Sequence, residues 1–207
     1  MVRYFTSTVT DPPATLYVGR DKEENEDLIK FGWPEDVWFH VDKLSSAHVY
    51  VRMPKGQGID DMSQELIDDC ACLVKANSIS GCKLPVVDVV FTPWSNLKKD
   101  NGMASGQVGF HYDKRVKRCK AEKRNDIVNR LNKTEVVQEV VDFRALREER
   151  DAIERREIRK VQQVIKANED ETKKKRLREK EMKSYDKVFV QSKMSSNQDG
   201  NDSDDFM

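Results

Sequence analysis

Trp38, His40 and Asp42 alternate along Asp36-Val37-Trp38-Phe39-His40-Val41-Asp42, and Ser45, Ser46 and His48 follow closely. On a β-strand the first three side chains share one face while Phe39 and Val41 share the other. An indole, two imidazoles, a carboxylate and two hydroxyls in so short a stretch fit four kinds of chemistry. A metal site would draw on His40, Asp42 and His48, but it needs three or four convergent ligands and the spacing matches no familiar signature. A hydrolytic triad would join Ser45 or Ser46 to His40 or His48 and Asp42. It also needs an oxyanion hole, and no Gly-x-Ser-x-Gly elbow is present. A nucleic-acid face would stack bases on the rings and hold phosphates with Ser and Lys. A hydrogen-bonded His–Asp–Ser network would only hold the fold together.

Basic residues favour the third reading. Arg20 and Lys22 flank a predicted helix N-terminus, where free N–H groups attract anions, although Glu23 and Glu24 oppose this. Lys98 and Lys99 follow Trp94-Ser95-Asn96 in a polar connection. Lys114, Arg115, Lys117, Arg118, Lys120, Lys123 and Arg124 form a dense run. Cations beside an aromatic loop are what a phosphate-tracking site requires. Residues 173–180, also basic, read as a solvated helix face and match a nuclear-localisation patch only weakly.

The elements that must position these groups are legible in outline. Residues 3–10 and 14–19 are rich in aromatic and β-branched side chains and read as a hairpin turning at Asp11-Pro12-Pro13. Asp21 caps a helix over 22–31, with Glu24 as the acid of a capping box, and Gly32 and Pro34 end it. Residues 36–42 and 47–53 read as paired strands. Ser63 caps a helix over 63–78 whose Leu66, Ile67, Cys70, Leu73 and Val74 recur near a 3.6 period. Residues 86–92 and 107–111 complete the strands. The fold class is α+β: a mostly antiparallel sheet with two packed helices, followed by a long charged C-terminal helix.

Charge divides the chain near residue 113. Residues 1–113 carry 11 Lys+Arg against 17 Asp+Glu, residues 114–186 carry 24 against 16, and residues 187–207 carry 2 against 4. The net charge of zero therefore hides an acidic body and a basic arm, which points to a binding protein rather than an enzyme. The boundaries follow as 1–115 for the folded domain, 116–186 for a basic helical arm and 187–207 for a disordered acidic tail. The arm has neither Gly nor Pro, but its apolar residues hold no single heptad register.

The start of the chain lacks a basic region followed by an apolar run. Cys70, Cys72, Cys82 and Cys119 therefore read as reduced thiols of a cytoplasmic protein that can also enter the nucleus. Cys70 reads as core and Cys72 as semi-exposed. The run at 86–91, broken by Asp88, falls far short of the roughly 20 apolar residues of a membrane span. Any membrane contact is expected to be peripheral or through a partner.

The stretch 36–42 followed by Ser45-Ser46-Ala47-His48-Val49-Tyr50-Val51 resembles the hallmark of the NFACT-R domain family. Glu24-Asn25-Glu26-Asp27-Leu28-Ile29-Lys30, Leu73-Val74-Lys75-Ala76-Asn77-Ser78-Ile79, Phe91-Thr92-Pro93-Trp94-Ser95-Asn96-Leu97-Lys98-Lys99 and the terminal 194–207 resemble its free-standing eukaryotic branch, the coiled-coil domain-containing protein 25 family. The resemblance covers about residues 1–120 and the last fourteen. It implies nucleic-acid binding, RNA for the family generally, with extracellular DNA at the cell surface also allowed. It adds Lys75 and Asn77 to a site composed of Arg20, Lys22, Trp38, His40, Asp42, Ser46, His48, Trp94, Lys98, Lys99, Lys114, Arg115, Lys117 and Arg118. No cofactor, metal or enzymatic activity is expected. The alternative is an adaptor that docks on a translation or ribosome quality-control assembly, its arm pairing with a partner protein or with itself.

Overall fold

The computed structural model describes residues 1–100 and 102–183. The chain order is β1 (Val2–Ser7), β2 (Ala14–Gly19), α1 (Lys22–Phe31), β3 (Asp36–Val41), β4 (Val49–Arg52), α2 (Gln64–Ala76), β5 (Val86–Pro93), β6 (Leu97–Lys98), β7 (Gly109–Phe110), β8 (Lys117–Glu122), α3 (Asn125–Asn132), β9 (Val136–Gln138) and α4 (Phe143–Lys183). Seven strands form one sheet in the order β8-β5-β3-β4-β2-β1-β9, every neighbouring pair antiparallel. The short β6 and β7 pair separately.

Local chemistry sets the ends of these elements. The Asp21 carboxylate accepts from the backbone N–H of Glu23 (3.1 Å) and Glu24 (3.0 Å), which starts α1. The Glu24 carboxylate accepts from Arg20 N–H at 2.7 Å and pairs with the N-terminal ammonium, one residue off the expected capping box. Ser63 Oγ accepts from Leu66 N–H to start α2, and Asn77 closes it by donating to Leu73 O at 2.9 Å.

Both sheet faces are covered. On one, Phe5, Leu16, Val18, Phe39, Val41, Val49, Val89 and Phe91 pack against Leu66, Cys70, Leu73 and Val74 of α2 and Ile127 and Leu131 of α3. On the other, Tyr17, Trp38, Tyr50 and Val90 pack against Leu28 of α1 and Leu97, with Trp94, Val108, Phe110, Val116 and Phe143 at the margin. Each large apolar side chain so buried contributes roughly 1.5–3 kcal/mol.

The expected domain boundary at residue 115 moves. Residues 117–138, read in the sequence as the root of the helical arm, supply β8, α3 and β9 to the sheet and core. Tertiary pairing overrides helix propensity there: Cys119 and Ala121 alternate inward from an edge strand that is otherwise charged. The long helix begins only at Phe143. The first compact unit runs to Asp151; the second, from Ala152, contains the rest of α4 up to Lys183, where no residue is buried. The strand expected at 107–111 shrinks to β7. Cys72, expected half-exposed, is buried. The calls on residues 184–207, including the acidic tail, lie outside the described residues. Among the described residues no helix is long and apolar enough to cross a membrane.

Candidate nucleic-acid interface

The face carrying Trp38, His40 and His48 is not an open surface. Trp38 is 2% exposed and His48 4%. The Trp38 indole N–H donates to His48 Nδ1 at 3.0 Å. The Trp38 ring stacks on His40 with centroids 5.5 Å apart and meets Phe110 edge-on at 5.8 Å. Burial, and then the neighbouring His40, push the His48 pKa down to about 3, and burial lowers that of His40. Both imidazoles are therefore neutral at pH 7. The sequence pattern looked too polar for a core face, but it serves as one because its rings satisfy each other. No ring face of Trp38 is left for a base.

Four other expected site residues are structural. Ser46 Oγ accepts from Val41 N–H (3.1 Å) and donates to Ala47 O (3.2 Å), so it is not placed as a nucleophile against either histidine. Lys75 is 3% exposed and donates to Gly81 O and Leu84 O, tying α2 to the loop before β5. Asn77 accepts from Arg3 at 2.7 Å. Trp94 donates to Ile29 O at 2.8 Å, and the Arg147 guanidinium lies 5.2 Å from its ring centroid.

The two loop lysines also have partners. Lys99 donates to Glu26 (2.6 Å), Ala104 O (2.9 Å) and Gln107 O (2.9 Å), pinning the 99–107 connection to α1. Burial works to raise the Glu26 carboxyl, but the Lys99 bond and the Gly106 N–H outweigh it and hold it below its usual range. Lys98 pairs with Asp100 at 2.9 Å. Arg20 and Lys22 are exposed at the start of α1, and Arg20 sits beside Asp21. Asp42 is half-buried near His40. Among the described residues no cluster of three His, Cys, Asp or Glu side chains could hold a metal ion.

The structure brings the remaining cations together at the β8 edge. Lys114 and Arg115 lead into the strand, and Arg118 and Lys120 follow two residues apart on it, all exposed. Among the described residues these four make no ion pair, whereas Lys117 pairs with Asp60 at 2.6 Å. The register puts Arg118 opposite Val90, and Val90 opposite His40, so His40 and Arg118 lie in one cross-strand row. Two strand spacings place their backbones about 10 Å apart. Tyr112, 65% exposed, stands just before Lys114. Sequence reading did not single out Tyr112 and left Lys120 out of the site. The signal available was an aromatic residue two positions before the basic run.

Residues 1–112 match the model described as NFACT protein RNA binding domain. The chain belongs to the NFACT-R family. Coiled-coil domain-containing protein 25 of Bos taurus and that of Mus musculus are each 55% identical to this NFACT-R chain over 209 residues, covering all of both chains. Protein JLP2 of Saccharomyces cerevisiae is 42% identical over 142 residues, 66% of this chain and 68% of its own. The C-terminal part of the fibronectin/fibrinogen-binding protein from Streptococcus suis has a similar fold. It aligns with TM-score 0.52 and 21% identity over 65% of this chain and 49% of that structure. The cation line from Lys114 to Lys120 lies just beyond the span that the family model matches.

Proposed function

We propose that this NFACT-R chain is a non-enzymatic nucleic-acid-binding protein that holds the phosphate backbone along β8. The observation that carries the reading is the line of four exposed cations, Lys114, Arg115, Arg118 and Lys120, which make no ion pair among the described residues. Lys98, Lys99 and Lys117 are engaged by Asp or Glu, whereas these four stand in one run open to an external polyanion. RNA is the proposed ligand because the family is described as RNA binding. DNA offers the same phosphates, and recognition of extracellular DNA stays within this proposal. The test compares fluorescently labelled RNA bound by the full chain, by the Lys114→Ala/Arg115→Ala/Arg118→Ala/Lys120→Ala variant and by a Lys173→Ala/Lys174→Ala/Lys175→Ala variant. Loss of binding in the first variant alone supports the β8 edge. Loss only in the second moves binding to the arm.

A second reading rests on a separate observation. Ile153, Ile158, Val161, Val164 and Ile165 are all exposed on α4. Aliphatic side chains left in water on one helix suit a partner helix, which would make the arm an adaptor or a self-association element. Light scattering after nuclease treatment separates the two readings: an assembly that persists without nucleic acid favours the adaptor.

A further inference from the structure

The segment entering β8 is built to present an aromatic ring as well as cations. Asn96 is fully buried. Its Oδ1 accepts from Tyr112 N–H at 2.9 Å and its Nδ2 donates to Tyr112 O at 3.0 Å, clamping that residue's backbone from both sides. Its backbone carbonyl accepts from His111 N–H at 2.9 Å. Asn96 Nδ2 also donates to Thr92 Oγ1 (2.9 Å), and Thr92 Oγ1 donates to Arg115 O (3.1 Å). Two buried side chains thus fix the backbone of residues 111–115 while the Tyr112 ring stays in solvent. A rigid backbone under an exposed aromatic lowers the entropic cost of docking a flat ligand on it.

The charges around this ring decide which form of nucleic acid it suits. Arg118 and Lys120 share one face of β8 and are separated by two strand residues, roughly 6.8 Å. That interval is comparable to the distance between successive phosphates of one extended strand. Carboxylates stand near the cation line, one on its own face of the sheet and two on the other. Asp88 stands opposite Lys120 in the sheet register. On the α2 side, Asp60 is bonded to Lys117 and Asp68 pairs with Arg124 at 3.6 Å. A second backbone laid over β5, beside Lys120, would meet Asp88. A duplex also keeps its base faces stacked internally, whereas an unpaired base can lie on Tyr112.

We infer that the β8 site selects single-stranded nucleic acid, with one unpaired base stacked on Tyr112 and successive phosphates along Arg115, Arg118 and Lys120. The inference rests on the nucleic-acid reading above and names the form of its ligand. Asn96 is a positioning residue, since it acts through Tyr112.

The experiment uses the full chain with a labelled single-stranded RNA oligonucleotide and the blunt duplex of the same length, at fixed salt. The wild-type chain, Tyr112→Ala and Tyr112→Phe are compared. Stacking of one base predicts that Tyr112→Ala weakens single-strand binding roughly 5- to 150-fold while Tyr112→Phe, which keeps the ring, stays near wild type. The duplex should bind more weakly than the single strand and be indifferent to Tyr112. Equal single-strand affinity for wild type and Tyr112→Ala, or duplex binding as tight as single-strand binding, overturns the inference and leaves the cation line as a general polyanion site. Absence of binding to either form overturns the nucleic-acid reading itself. Thermal melting of each variant checks the fold, which an exposed ring should leave unchanged.

Discussion

The indole of Trp38 donates its only N–H to Nδ1 of His48, so the two polar aromatics most conspicuous in the sequence neutralise each other inside the fold. His48 must be an acceptor at Nδ1, hence uncharged, for that bond to exist. The relationship turns a pattern that reads as a recognition surface into part of the core. What remains at the surface is the row beginning at half-buried His40 and ending at Arg118.

The burial that holds His48 neutral makes stability depend on pH. The folded pKa of His48, about 3, lies below the unfolded value near 6.5, so the unfolded state takes up the proton first. Stability is full above about pH 6.5 and declines as pH falls toward 3, and by pH 5 the loss from this one group is about 2 kcal/mol. His40, also lowered by burial, adds in the same direction. Urea denaturation at pH 7 and pH 5 measures the decline. His48→Gln, which keeps an acceptor but cannot ionise, should flatten it.

Residues beyond 115 should be indispensable for folding. A chain ending at 115 loses Ala121, Ile127 and Leu131 from the core, each with 5% exposure or less. At roughly 1.5–3 kcal/mol for each of the two larger side chains, with β8 pairing in addition, the loss approaches a typical total stability of about 5–15 kcal/mol. Circular dichroism of residues 1–115 should show no cooperative melt, whereas residues 1–151 should melt cooperatively.

The same segment is tied in by charge. Asp69, 1% exposed, accepts from Ser7 Oγ (2.6 Å) and from Arg130 of α3 (2.6 Å). Arg130→Ala leaves that carboxylate with a single hydroxyl. The cost should be about 2–4 kcal/mol, reduced from the fully buried case because Arg130 is partly exposed. Its denaturation midpoint, compared with that of Asp69→Ala/Arg130→Ala, should show that the double change costs less than the sum of the singles.

Gly32 tests the packing of Trp94. A Cβ built there would fall 2.2 Å from Trp94 Nε1, an atom already committed to Ile29 O. Gly32→Ala should cost about 1–3 kcal/mol or more by overpacking, and should also loosen Arg147, which donates to Gly32 O. Trp fluorescence on unfolding reports both.

Much of the fold was legible because short-range chemistry specified it. Asp21 and Ser63 cap the helices they were expected to cap, and the β1–β2 and β3–β4 pairs follow their alternating patterns. Residues 117–138 were not legible. Lys117-Arg118-Cys119-Lys120-Ala121-Glu122 is rich in helix formers, and its strand state comes from pairing with β5, a contact distant in sequence. The site was half legible: Lys114, Arg115 and Arg118 lie on the cation line. Trp38, His48, Lys75 and Asn77 have the composition of a binding surface, and only the excursion at 94–116 and the loop after α2 reveal that they are covered or committed. Tyr112 was hidden because the clamp that fixes its backbone comes from Asn96, sixteen residues away.

The most direct measurement is the salt dependence of RNA binding by the full chain and by the Lys114→Ala/Arg115→Ala/Arg118→Ala/Lys120→Ala variant. Each phosphate contact to a single strand contributes about 0.7 to the slope of log affinity against log salt. The β8 edge as the binding line predicts that the variant loses affinity and that its slope falls by about 2 to 3. An unchanged affinity and slope would contradict it.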